Sequence, residues 1–109
     1  MQKFSLEARA HEHLEKARSA PSGRSAETVY GGHEHHLRQT LVTLRAGAEL
    51  AEHENPGEAT LLVLHGRVRL RSGDTSWDGM SGDFLVVPPA RHALAAIEDA
   101  AVLLTVAKV

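Results

Sequence analysis

From about residue 28 to the end of the chain, turn chemistry cuts short every β-prone run. Segments rich in Val, Leu and Thr run at about 28–30, 36–44, 59–65, 67–72, 84–87, 91–97 and 101–107. Between them stand Gly31-Gly32, Gly47, Asn55-Pro56-Gly57, Gly66, Ser72-Gly73-Asp74, Gly79, Gly82-Asp83, Pro88-Pro89 and Glu98-Asp99. Glycine reaches positive φ without penalty, proline removes a ladder donor, and Asn or Asp closes turns through its side chain. Many short strands punctuated in this way point to a sandwich or barrel.

The N-terminal part follows a different period. Leu6, Ala10, Leu14 and Ala17 recur at near-helical spacing, with Ser5 as N-cap and Glu7 in the first turn. Glu12 and Lys16 form an i,i+4 pair, and Pro21, Ser22 and Gly23 stop the helix. The apolar stripe over residues 5–19 is thin, so such a helix is marginal alone. It is expected across the outside of a sheet or against a second subunit. His11 and His13 project about 200° apart on it and are expected to be solvated. The organisation is therefore a helix and linker over 1–24 and one β domain over 25–109.

A chain of 109 residues fits one domain with a small core. One Trp, one Tyr and two Phe make that core aliphatic. A net charge of −2 gives no basic field for nucleic acid. There is no apolar run near the roughly 20 residues of a membrane span, and the N-terminus is polar rather than signal-like. Cysteine is absent, which removes disulfide and thiolate chemistry. These features suit a soluble cytoplasmic protein. Phosphate-loop, nucleophile-elbow and His-Glu-x-x-His strings are missing.

Two stretches carry most of the functional information. In the first, Gly47 is followed by five residues and His53; then come Asn55, Ala59 and Gly66. In the second, Gly82 is followed by five residues and Pro88, then Ala90, His92 and Ala96. The spacing resembles the two motifs of the cupin superfamily, over roughly residues 36 to 108. Gly47, His53, Gly66, Gly82 and Pro88 match. Asn55 stands for the second histidine, Ala59 for the glutamate, Ala90 for the second-motif glycine and Ala96 for the asparagine, and His92 arrives one residue early. The resemblance implies an all-β, double-stranded β-helix (jelly-roll barrel) carrying the short N-terminal helix.

Metal-bearing cupins resembling this chain use three histidines and a glutamate. The resemblance therefore implies that a divalent transition metal (Zn, Fe, Ni or Mn), if bound at all, would be held by His53, Asn55 and His92. Two imidazoles and an amide make a thin donor set. Leu61 and Val63 share strand parity with Ala59, and the three are expected to line the same ligand cavity. Glu58, one residue out of step, belongs to the opposite face, unless a local bulge beside Gly57 redirects it. The expected function is binding of a small ligand, with or without a weakly held metal. The alternative is a metal-dependent enzyme of the dioxygenase or isomerase type. The resemblance also implies a homodimer.

Four further features carry expectations. His33, His35 and His36 read as an exposed strand start, with substitute metal ligands as the alternative. Gln39 shares parity with His33 and His35 and is a candidate to reach the interior. Arg67, Arg69 and Arg71 read as the basic outer face of a solvated edge strand. Trp77 is expected near a loop, capping the barrel or anchoring a subunit. The apolar Ala100–Val109 segment reads as a strand buried on both faces or as an intersubunit strand.

Overall fold

The computed structural model describes residues 2–53 and 57–108. Helix α1 (Leu6–Ser19) begins where Ser5 Oγ accepts from the Ala8 N–H at 3.2 Å. It ends at Ala20, whose N–H donates to Lys16 O, just before Pro21. Among the described residues nine strands follow: β1 (Arg24–Gly31), β2 (Leu37–Leu44), β3 (Glu49–His53), β4 (Gly57–His65), β5 (Arg67–Ser72), β6 (Thr75–Met80), β7 (Phe84–Val86), β8 (His92–Ala96) and β9 (Ala100–Lys108). They form a five-stranded sheet ordered β1-β2-β9-β4-β7 and a four-stranded sheet ordered β3-β8-β5-β6. Every pairing is antiparallel. This is the jelly-roll arrangement expected from the sequence.

Two strands had no sequence signal. β3 and β6 are polar, and β6 contains Gly79, a residue that weakens strands. The space there is tight: a Cβ would lie 3.1 Å from Leu85 Cδ1 and 3.2 Å from Val63 Cγ2, so those side chains would have to give by a few tenths of an ångström. The two sheets approach each other at this point, β6 on one side and β4 and β7 on the other.

Side-chain alternation divides each strand between two environments. On β2, Val42 and Leu44 enter the core between the sheets, where they join Leu61, Val63, Val68 and Leu70. Leu41 and Thr43 face the other way, towards the helix. Ala10, His13, Leu14 and Ala17 are the buried helix residues, at the i, i+3, i+4, i+7 spacing of one face. His13 therefore is not solvated, contrary to expectation. It fills the i+3 slot between apolar neighbours, a position that a search for apolar residues alone overlooks. Its ring reaches Ser25 Oγ at 2.6 Å and Glu27 Oε1 at 3.0 Å, and Arg9 also binds Glu27. His11 is exposed.

The helix C-terminus is pinned to the sheet. Arg45 donates to the carbonyls of Arg18 and Ala20, which the helix leaves without internal partners. Asp99 accepts from Arg18 Nε and from the Ala46 N–H, each at 2.8 Å. The Ala46 N–H, and after it the Arg18 guanidinium, hold the Asp99 carboxyl below its ordinary value.

Several expectations change with the topology. β5 lies between β8 and β6, so the arginine-rich strand is internal and β6 is the edge. Arg69 and Arg67 both bind Asp78 on β6, and the bond from Arg69 is the main cause that lowers the Asp78 carboxyl. Trp77 belongs to β6 itself, Cα-paired with Leu70, and is 44% exposed. Gln39 faces the helix side, where it donates to Thr105 Oγ1 at 3.2 Å, because its parity is that of Leu41. His33, His35 and His36 are exposed, with His35 edge-on to Tyr30. β9 is central, hydrogen-bonded to β2 on one side and β4 on the other, so its apolar run serves two buried faces. Among the described residues no helix is long and apolar enough to cross a membrane.

Candidate functional site

Strand register defines one end of the sandwich. Gly31 pairs with Arg38, Arg38 with Val106, Val106 with Ala59, and Lys108 with Gly57. On the facing sheet, His53 pairs with His92 at the same end, since the chain passes from His53 to β4 within a few residues. The other end holds Leu44, Ala100 and the β8–β9 connection.

His92 is 6% exposed at the start of β8. The Pro88-Pro89 stretch ends the preceding chain in a tight turn, in which the Ala90 N–H donates to Pro88 O at 2.8 Å. Its ring Nδ1 lies 2.9 Å from Ala90 O. A carbonyl oxygen only accepts, so Nδ1 carries a hydrogen and donates it to the turn, which fixes the position and orientation of the imidazole.

The structure brings His53 and His92 together as cross-strand partners. They meet through a register irregularity between Leu50 and His53. The direction of the His53 side chain lies outside what the structure describes, and Asn55 lies outside the described residues. Ala59, Leu61 and Val63 all belong to the buried core cluster, at 8%, 3% and 1% exposure. Ala59 is nearest the open end, and the other two lie progressively deeper along β4.

Sequence reasoning missed three residues at this end. Arg38 and Thr40 have the inward parity of Val42 and Leu44, because β2 pairs with β9 without a register break. Lys108 has the inward parity of Val106 and Leu104, and its Nζ donates to Gly32 O at 2.9 Å. The alternation from Arg38 to Leu44 was a usable signal, once one inward residue of β2 was known.

Two cavities flank α1 on the outside of the five-stranded sheet. One, of about 570 Å³, lies between the helix and β4 and is lined by Ala10, His11, Leu14, Leu64 and His65 among others. The second, of about 530 Å³, lies beside Phe4, Val29, Tyr30 and Leu103. Neither involves His92.

A transition-metal centre generally needs about three protein donors. Among the described residues no three His, Asp or Glu side chains converge. Ala59 carries no donor atom. The described residues do not form a metal cage, and no chemical step is assigned to a metal.

No family model matches the sequence, and no curated protein does. Solved structures do. An RmlC-like cupin protein from Desulfovibrio desulfuricans is 30% identical, with 77% of this chain and 81% of that one covered at a TM-score of 0.67. A conserved protein of unknown function from Streptococcus pyogenes is 26% identical, covering 83% and 78% at a TM-score of 0.74. A mutant salicylate 1,2-dioxygenase from Pseudoaminobacter salicylatoxidans shares the fold at 20% identity and a TM-score of 0.76, over 94% of this chain and 34% of that one. The two facing antiparallel sheets, the matched motif positions and the 30% identity to a solved cupin agree. This chain belongs to the cupin superfamily.

Proposed function

We propose that the open end of the barrel binds a small molecule, with the His92 imidazole as its polar anchor above an aliphatic floor. The buried ring of His92, oriented by its hydrogen bond to Ala90 O, carries this reading. Ala59, Val87 and Val106, buried in the core cluster, would supply its apolar walls. Small barrels accommodate one ligand in this position. In this reading a divalent metal held by His53, Asn55 and His92 contributes only weakly, because Ala59 occupies the place of a carboxylate ligand.

The test uses untagged protein with histidine ring signals followed by NMR during a small-molecule screen. A binder should shift the His92 signals, and His92→Ala should weaken it about tenfold, the worth of one buried polar contact. Chelator treatment should leave the shifts and affinity unchanged. Loss of binding on chelation, restored by one metal equivalent, would favour the dioxygenase- or isomerase-type alternative.

The expected homodimer has one surface in its favour. On the outer face of the five-stranded sheet, a row runs Phe84, Leu62, Leu103, Leu41. The helix covers the Leu41 end, whereas Phe84 and Val86 on edge strand β7 are 61% and 71% exposed. β7 carries no charge to discourage edge association. A second copy docking there by a twofold contact would cover both residues. Sedimentation should show a dimer that Phe84→Asp converts to monomer. A wild-type monomer at high micromolar concentration removes this reading.

A further inference from the structure

We propose that the cavity beside the start of α1 receives Phe84 of a second copy, so that each chain of the dimer lodges one ring in the other. This rests on the dimer reading above and adds the surface on which the partner lands.

The aromatic residues point to this face. None of the chain's four lies in the core: Phe4, Tyr30, Trp77 and Phe84 are 42%, 51%, 44% and 61% exposed. Aromatic side chains are rigid, bury much apolar area and are enriched where proteins meet. Three of the four belong to the outer side of the five-stranded sheet. Phe4 and Tyr30, with Leu6, Val29 and Leu103, line the cavity of about 530 Å³. The register irregularity between Thr28 and Tyr30 sets Tyr30 opposite Gln39, on that outer side. Arg9 stands over Phe4, its guanidinium carbon 5.0 Å from the ring centroid, and is itself held by Glu27. That contact steadies one wall of the cavity. Phe84 projects from the opposite margin of the same face, on edge strand β7.

Register relates ring and cavity by symmetry. Phe84 pairs with Leu62 and Leu62 with Leu103. β4 therefore lies midway between the strand that carries the ring and the strand that borders the cavity. A half-turn about an axis running along β4, in the plane of contact, exchanges β7 with β9. It sets Leu62 against its own copy and brings Phe84 of each chain onto Leu103 of the other, at the mouth of the cavity. Sheets stacked in this way are aligned and about 10 Å apart, as in ordinary sheet-on-sheet packing. The contact is isologous and closes on two chains.

Charge selects the same contact. The outward side chains between ring and cavity, Thr60, Leu62, Leu103, Thr105 and Val86, are uncharged, as at the centre of an interface. The exposed side of α1 instead carries Glu12, Glu15 and Lys16, so an apolar partner surface settles beside the helix and not on top of it. α1 lies over β1 and β2. It then flanks the partner's β7 and covers an edge whose free backbone groups invite strand addition.

Sedimentation equilibrium of the full chain gives the dimer dissociation constant, and NMR follows the tyrosine ring and the tryptophan indole. Dilution through the dissociation range should shift Tyr30 and leave Trp77, on the other sheet, in place. Phe84→Ala should raise the dissociation constant about a hundredfold and Tyr30→Ala at least about tenfold, since each contact occurs twice per dimer. Both residues are exposed in the single chain, so neither change should lower the melting temperature of the monomer appreciably. The double variant should cost little more than Phe84→Ala alone, the mark of side chains that touch. A dimer weakened by Phe84→Ala but indifferent to Tyr30→Ala, or additive effects of the two, overturns the seating of the ring and leaves the dimer reading standing. Added p-cresol that shifts Tyr30 while the dimer stays intact makes the cavity a ligand site and overturns the seating as well. A chain that remains monomeric at high micromolar concentration removes the dimer reading, and this inference with it.

Discussion

Gly66→Ala should leave a chain that barely holds its fold at 25 °C. Gly66 turns β4 into β5 at a φ of +80°, which for alanine costs roughly 1–2 kcal/mol by itself. The larger cost is steric. An added Cβ would drive into the carbonyl oxygen of Asp99 and lie 2.9 Å from Ala100 Cα. Both are backbone atoms of the β8–β9 corner and cannot swing aside. The total should reach about 4 kcal/mol or more, most of the stability of a marginal small domain. Gly82→Ala is the control: its φ is +91°, but nothing lies within 4 Å of the added atom. It should cost only the conformational strain. Urea unfolding followed by circular dichroism compares the two. If they unfold at similar midpoints, the steric reading of the corner is wrong.

Leu70→Ala should cost about 3–4 kcal/mol. Leu70 is 1% exposed, on the inner face of β5 between Leu94 of β8 and Trp77 of β6. Deleting a buried leucine loses its transfer energy and leaves a cavity that close-packed neighbours fill poorly. With so few aromatics, the core has no large adaptable side chain other than the half-exposed Trp77 to move into the gap. The melting temperature should fall by more than about 10 °C. Leu37→Ala, at a residue 39% exposed, should cost less than about 1 kcal/mol. A Leu70→Ala loss no larger than the Leu37→Ala loss would mean that the space between the sheets is not tightly filled there.

The parts of this fold legible in the sequence are those written in local chemistry. Ser5 marked the helix start and Pro21 its end. The glycines at 47, 66 and 82 marked turns, and all three adopt positive φ. β3 and β6 were not legible, because their outward charges and Gly79 hide the alternation that signals a strand. His13 was misjudged because a polar residue can occupy an inward helical position when Ser25 and Glu27 await it on the sheet. That His53 and His92 meet was expected from the resemblance, whereas the register irregularity between Leu50 and His53 through which they pair is not something residue counting foresees. Arg38 was invisible for a related reason: nothing local says which parity of β2 points inward. That choice is made by the helix, which claims Leu41 and Thr43 for the outside.

The corner around Asp99 has a mechanical consequence. Its carbonyl presses on Gly66, and its carboxylate grips Ala46 and Arg18, so one residue rivets the β4–β5 turn, the β2–β3 link and the end of α1 together. These clamps gather at the end remote from His92. That end is tied by hydrogen bonds, an ion pair and a close backbone approach, so on the proposed reading a ligand would enter and leave at the opposite end, beside His92.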